Sequence, residues 1–339
     1  MPELAIVIPA YKKKYFCVAL NSIAAQTNKN FNLYIGDDHS PEDLESISQG
    51  FVNQLNLTFV RFQENVGGKD LVEQWSRCIN LTKNEKWLWL FSDDDIADEN
   101  CVMRFYDQLE KNAQQMDVYR FNTTVIDENG DTIADQPESP DFESSVSMAY
   151  NILYGKRGNS MPDHIFSREI YLKCGGFVKT EFAQAADWAS SINFSQFRGM
   201  KTIPGARVHW RYSKNNVSST AAKQRGKMLR GHLQFIQWTM DHFAYLKEKP
   251  EDGISFDMMR QACVANLKWI LFDHYKGYGY KDGIRLMFFM HHRLKLSYKQ
   301  ALKELYYVKN SYESGCKKIF QALSLYQEFV SLRKGIFRR

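Results

Sequence analysis

A doubly wound α/β fold, with a mainly parallel sheet flanked by helices and a helical C-terminal appendage, is what this sequence predicts. Short apolar runs rich in β-branched and aromatic residues alternate with helix-length amphipathic stretches through the first half of the chain. Polar clusters follow several of those runs directly, as they do at the carboxyl ends of strands in open parallel sheets. After about Ala221 a helical period takes over almost to the end.

Leu4–Pro9 reads as the first strand, and the spacing of apolar residues predicts a helix near Phe16–Gln26. A strand at Phe31–Gly36, a helix near Pro41–Leu55 and a strand at Leu57–Phe62 follow. Then come a helix near Lys69–Asn80, a strand at Trp87–Phe91, a helix near Ala97–Asn112 and a strand at Val118–Thr123. Glu128-Asn129-Gly130-Asp131 is a turn signal, so Val125–Pro140 is expected to be a surface hairpin and loop. Interruptions at Lys249–Gly253 and Lys276–Tyr280 divide the later helical region. The expected organisation is an α/β domain over 1–218 and a basic, mostly helical region over 219–339.

The 339 residues suit one large α/β domain and an appendage, with 44% hydrophobic residues to fill a core. Residues 1–220 hold 22 basic and 29 acidic side chains, and residues 221–339 hold 22 and 10. An acidic first part does not suit a nucleic-acid platform, whereas a basic second part suits anionic surfaces. The six cysteines lack C-x-x-C pairs, so neither a zinc site nor a redox motif is expected. No apolar run approaches the roughly 18 residues of a spanning helix, and the expected localisation is cytoplasmic.

Three polar clusters carry the chemistry: Pro9-Ala10-Tyr11, Asp37-Asp38-His39-Ser40 and Ser92-Asp93-Asp94-Asp95. Adjacent carboxylates repel one another, so Asp93, Asp94 and Asp95 call for a cation such as Mg²⁺ or Mn²⁺. The plainer reading is an acidic helix start with Ser92 or Asp95 as cap. Asn65, Gly67 and Lys69 could offer backbone N–H groups and a cation to a nucleotide, or form a simple glycine turn before a helix.

Taken in order, Ile6–Tyr11, Ile35–Ser40, Asn65-Val66-Gly67-Gly68 and Leu90–Asp95 closely resemble the motifs of family 2 glycosyltransferases. That resemblance implies a GT-A fold and inverting transfer from a nucleotide-sugar, usually of uridine, by a hexosyl- or N-acetylhexosaminyltransferase. Pro9, Tyr11 and Asp37 or Asp38 fall on nucleoside-binding positions, and the aspartate run on the metal and diphosphate element. Its register is open: either Ser92 takes the first acidic place, or Asp93-x-Asp95 does, and Asp94 carries the larger expectation. Phe166–Phe177 is similar to the acceptor-side segment ending in G-G-F. Ala186-Asp187-Trp188 then matches the usual E-D pair with alanine for glutamate, which implies Asp187 as general base, with Asp163 or Glu181 next in line. Taken alone, Asp187 is more often a helix cap.

Val208–Ser213 resembles the strand and loop closing the nucleotide site, where Arg211 could clamp diphosphate and Ser213 stands where many relatives have a metal-binding histidine. His164 and Trp188 are candidates for acceptor contact, whereas His232, His242, His274, His291 and His292 read as surface or core. The family expectation is a surface polysaccharide or glycolipid acceptor. Nucleotidyltransfer and a non-catalytic nucleotide-binding module are the competing classes. The first lacks its Gly-rich basic segment after strand one, where Pro9-Ala10-Tyr11-Lys12 stands. In the tail, Ile319, Phe320, Leu323, Tyr326, Val330 and Phe337 could form an apolar stripe with Lys317, Lys318, Arg333, Lys334, Arg338 and Arg339 at its ends. It would pack on the catalytic domain or tether the enzyme to an anionic membrane face.

Overall fold

The computed structural model describes residues 2–111, 116–213, 221–273 and 277–313. Two compact units divide the chain, one of Met1–Ser145 with Gly158–Ser213 and the other of Val146–Arg157 with Lys214–Arg339.

In the first unit, β1 (Leu4–Ala10) runs parallel to β2 (Phe31–Asp37) on one side and β4 (Trp87–Leu90) on the other, and β3 (Leu57–Arg61) extends the sheet beyond β2. Leu4 to Ile8 are fully buried, because helices cover both faces of this strand. One face meets Phe16, Leu20 and Ile23 of α1 (Phe16–Ala24). The other meets α3 (Leu71–Ile79), whose first turn is capped by Asp70 accepting from the Glu73 N–H at 2.9 Å. A side chain at Gly36 would place its Cβ 2.4 Å from Cys78 Sγ, so only glycine lets α3 approach β2 this closely.

With β5 at Ile96–Ala97, β6 at Val118–Ile126, β9 at His164–Ser167 and β10 at Met200–Arg211, the strand order is β3-β2-β1-β4-β9-β6-β10-β5, and β6 and β10 run parallel. β9 is inserted antiparallel to both β4 and β6, and β5 is antiparallel to β10. The sheet is therefore mainly parallel along its path, with antiparallel strands in one half, as GT-A sheets are. β7 (Thr132–Asp135) pairs with β6 as the expected hairpin, and β8 (Phe142–Glu143) pairs with β10. Trp87 packs edge-on against Phe105 and Tyr119, both ring pairs 5.4 Å apart, which fixes α4 (Cys101–Lys111) on the sheet.

Two expected helices differ. The one near Pro41–Leu55 is only α2 (Glu45–Gln49), since it stops at Gly50 and the following turn puts Phe51 and Leu55 in the core. The one near Ala97–Asn112 begins at Cys101, because Ile96 and Ala97 pair with β10 and Asp98 exchanges bonds with the Arg207 backbone.

After α5 (Ser145–Leu153), α6 (Arg168–Lys173) and α7 (Ala186–Phe194), the later chain forms α8 (Ala221–His242), α9 (Phe256–Asp273), α10 (Tyr280–His292) and α11 (Tyr298–Glu313). Within the second unit, His232 Nε2 lies 2.7 Å from Asn266 Oδ1, and Asn266 Nδ2 donates to the Leu153 carbonyl at 3.1 Å. His232 thus has the core role the sequence suggested. No described helix is long and apolar enough to cross a membrane. The expected tail stripe from Ile319 to Phe337 lies outside the described residues.

Candidate active site

Parallel register brings the ends of β1, β2 and β4 to one edge, since Ala10 lies beside Asp37 and Val7 beside Leu90. The three polar clusters therefore meet. Asp93 Oδ2 accepts the Tyr11 and Lys12 backbone N–H groups at 2.8 Å each, and Asp95 Oδ1 accepts the Arg211 N–H at 2.8 Å. Burial, reinforced by the charge of Asp94, pushes Asp93 up to about 6 and Asp95 well above the ordinary carboxylate range. Asp94 differs: its carboxylate faces the Lys12 ammonium at 3.5 Å.

Among the described residues no three His, Cys, Asp or Glu side chains form a ready cage for an ion. The donor set still fits a hard divalent cation, because such ions often take one or two carboxylates and complete their shell with substrate phosphate and water. Asp94 has the carboxylate for that task. Asp93 and Asp95 are used to shape the loop.

On the nucleotide side, Tyr11 projects its ring into solvent, while its carbonyl accepts from Ser40 Oγ at 2.6 Å. Asp37 is buried, accepts from the Ser40 N–H at 2.8 Å and pairs with Arg61 at 2.6 Å. Asp38 holds the glycine turn: it accepts from the Val66 and Gly67 N–H groups at 2.8 Å and from Asn65 Nδ2 at 3.1 Å, and it pairs with Arg77. A Cβ on Gly67 would fall 2.6 Å from Asp38 Oδ2, so this turn requires glycine. Pro9 lies within β1, and Lys69 is exposed on the same turn. Arg77, which belongs to none of the sequence motifs, also lies over the Phe62 ring at 3.9 Å. Its position is set by a helix face and a partner 39 residues away.

Arg211 is buried, with Nε donating to the Asp94 carbonyl and Nη1 to the Asp127 carbonyl, each at 2.8 Å, and its guanidinium lies over Tyr15 at 4.3 Å. A direct clamp on diphosphate would require these bonds to be given up. Ser213 is buried beyond it.

Asp187 sits in the first turn of α7. Burial, with the nearby charge of Asp163 adding to it, pushes its carboxyl up to about 7. The chain reaches it through Phe182, Ala183 and Ala185, non-glycine residues at φ of 58°, 50° and 57°. Such conformations cost about 1 kcal/mol or more each and gather at functional sites. Alanine in place of glycine conceals this in the sequence.

Asp163 accepts from the Ser160 N–H at 2.8 Å and from Ser160 Oγ at 2.7 Å, and burial pushes it up to about 6. Its charge adds to the upward shift of Asp95 as well as that of Asp187. His164 is buried, its Nδ1 donating to the Ser160 carbonyl at 2.9 Å, and burial with the charge of Arg120 lowers it to about 3. It is a neutral ring whose Nε2 has no hydrogen-bond partner among the described residues. Trp188 Nε1 donates to the Asn159 carbonyl at 3.1 Å, and Trp89 Nε1 to the Pro162 carbonyl at 2.7 Å, so two indoles fix the segment carrying Asp163. A cavity of about 550 Å³ beside the β10 bulge, lined by Asp98, Glu138 and Arg207 among others, includes none of these site residues.

Residues 5–172 match the family described as glycosyl transferase family 2. The chain belongs to that family. It is accordingly a glycosyltransferase. A Haemophilus influenzae protein named as an uncharacterized glycosyltransferase is 27% identical over 236 residues, covering 68% of this chain and 76% of that one. Among solved structures, S. aureus TarS 1–349 in complex with UDP-GlcNAc is similar in fold at 14% identity, with a TM-score of 0.67 and 92% of each chain covered. The mannosyltransferase PcManGT from Pyrobaculum calidifontis, in complex with GDP-Man and Mn²⁺, matches at 12% identity and a TM-score of 0.50, over 99% of this chain and 85% of that one. The alternation of strands and the ordered clusters thus led to the right family.

Proposed function

We propose that this glycosyltransferase moves a hexosyl or N-acetylhexosaminyl group from a UDP-sugar to an acceptor hydroxyl with inversion at the anomeric carbon, in surface polysaccharide or glycolipid synthesis. One observation carries the reading. Trp89, on the strand that leads into the aspartate run, and Trp188, next to Asp187, both donate to the Asn159–Pro162 segment, which supports an acid facing diphosphate and a base sharing one site. The TarS structures with UDP and UDP-GlcNAc support the donor class.

In this reading Tyr11 covers the uracil, and Asp38 acts by holding the Asn65–Gly67 turn whose edge, with Lys69, borders the nucleotide. Asp37 acts at one remove, through Ser40 and Arg61. Pro9 is the next-to-last residue of the strand that presents Tyr11. Asp94 would hold the Mn²⁺ or Mg²⁺, with Asp93 and Asp95 keeping the loop in shape and Arg211 bracing it. When bound, the ion would neutralise charge developing on the departing diphosphate. Asp187, placed near neutrality, takes the proton of the attacking hydroxyl as the new C–O bond forms and the bond to UDP breaks. Trp188 is taken to lie on the acceptor side, where the buried His164 would act only through the Ser160 segment that it holds. The catalytic domain is taken as 1–218, and the 219–339 region as a basic appendage whose tail contacts the inner membrane face.

UDP release from a panel of UDP-sugars, measured with and without Mn²⁺, tests the reaction. Turnover by the wild type that Asp187→Asn abolishes is expected. Turnover of nucleoside triphosphates instead, or donor binding without transfer to any acceptor, would overturn it.

A further inference from the structure

The outward faces of α10 and α11 are apolar where solvated helices usually carry polar side chains. On α10, Tyr280, Ile284 and Phe288 recur at four-residue spacing, with Tyr280 85% exposed. On α11, Tyr298, Leu302 and Tyr306 repeat that spacing, with Leu302 54% and Tyr306 63% exposed. The opposite stripes, Leu286 with Met290 and Ala301 with Leu305 and Val308, are already buried, so the outer stripes are not needed for the core. The two helices pack together, and the edge of the Phe288 ring meets Tyr298 at 6.0 Å, which joins the stripes into one surface.

Cations border the apolar residues at one-residue offset: Lys281 after Tyr280, Arg285 after Ile284, Lys299 after Tyr298 and Lys303 after Leu302, all exposed. Of the acids whose side chains are described on these helices, Asp282 is neutralised by Arg285 at 3.7 Å, and Glu304 turns to Lys268 of α9 at 2.5 Å. A second copy would set lysine against lysine. Residues 314–339, with six cations and one acid, bear the same sign and offer this face no complementary charge. What complements this face is an extended negative surface that accepts aromatic rings at a polar boundary.

We propose that the α10–α11 face docks on an anionic lipid bilayer, the tyrosine and phenylalanine rings entering the headgroup layer while the flanking lysines meet lipid phosphates. The contact belongs to the folded helices, is independent of the transfer reaction, and is distinct from the proposed tail tether.

Flotation of the full chain with vesicles of phosphatidylcholine alone, or mixed with phosphatidylglycerol, tests this. Three variants are compared with wild type: Tyr280→Ser/Phe288→Ser/Tyr306→Ser, Lys281→Glu/Lys299→Glu/Lys303→Glu, and the tail substitutions Arg333→Gln/Lys334→Gln/Arg338→Gln/Arg339→Gln. Wild type should float only with anionic vesicles, and each face variant should lose about tenfold or more of that partitioning with an unchanged melting curve. The proposal is overturned if the face variants float like wild type, as they would were the tail alone responsible. It is equally overturned if wild type floats with neither vesicle or with both alike. Light scattering that finds a wild-type dimer dissociated by Phe288→Ser would assign the face to a second copy instead.

Discussion

Arg211 donates its backbone N–H to the Asp95 carboxylate at 2.8 Å, across 116 residues of chain. Its Nε meets the neighbouring Asp94 carbonyl at the same distance, so one arginine at the end of β10 sets the shape of the acidic loop after β4. Arg211→Ala keeps the first bond and loses the second, together with those to Asp127 and Glu128. Leaving a buried carbonyl unpaired costs about 1–3 kcal/mol, so thermal melting should drop by several degrees. Calorimetry should then find weaker UDP binding. A variant as stable as wild type, with UDP affinity intact, would remove the bracing role.

The three aspartates should separate by the property they change. Asp94→Ala should abolish the Mn²⁺-dependent part of UDP binding with little effect on melting, because its carboxylate supports no backbone group. Asp93→Ala and Asp95→Ala should lower the melting temperature first, since each frees a backbone N–H. Calorimetry with and without Mn²⁺, beside melting curves, decides this. Unchanged UDP affinity in Mn²⁺ for Asp94→Ala would move the ion elsewhere.

Asp187→Asn should keep donor binding and lose about 10²- to 10⁴-fold in kcat. Wild-type kcat should rise with pH through about 7, as the carboxyl becomes able to accept a proton. The stability effect has the opposite slope. The raised carboxyl holds its proton in the folded chain while the unfolded chain releases it near pH 4, so folding weakens as pH climbs from about 4 to 7. Denaturation should find Asp187→Asn more stable than wild type at pH 8 and equal to it at pH 4. The reverse order would contradict the placement of this carboxyl.

Asp163→Asn removes a negative charge that helps to raise Asp187 while leaving an acceptor for the Ser160 N–H. The inflection in the kcat profile should move to lower pH, with KM for donor close to wild type. A profile that stays in place would show that burial alone raises Asp187.

The strand signals were local. Leu4–Ile8 and Trp87–Leu90 are apolar throughout because each is covered on both faces, and the acids after them mark the edge where the strands end. Asp187 was singled out only through the family resemblance, since an acid opening a helix is by itself more often a cap. Asp163 was visible only as a substitute base. Its place beside Trp89 of β4 depends on β9 running antiparallel between β4 and β6, and a four-residue strand carries no signal of direction.

The order of apolar runs and turn residues in the sequence determined the α/β class, the family motifs and the stretch of carboxylates, because each is a property of neighbours along the chain. Only the tertiary structure decided which carboxylates remain for chemistry. Asp38 is spent on the Asn65–Gly67 turn and Arg77, Asp93 on the Tyr11–Lys12 backbone and Asp95 on Arg211, while Asp94 meets a single lysine. Hydrogen bonding and desolvation depend on what lies within a few ångströms in space, and the partners that decided these roles lie 27 to 116 residues away.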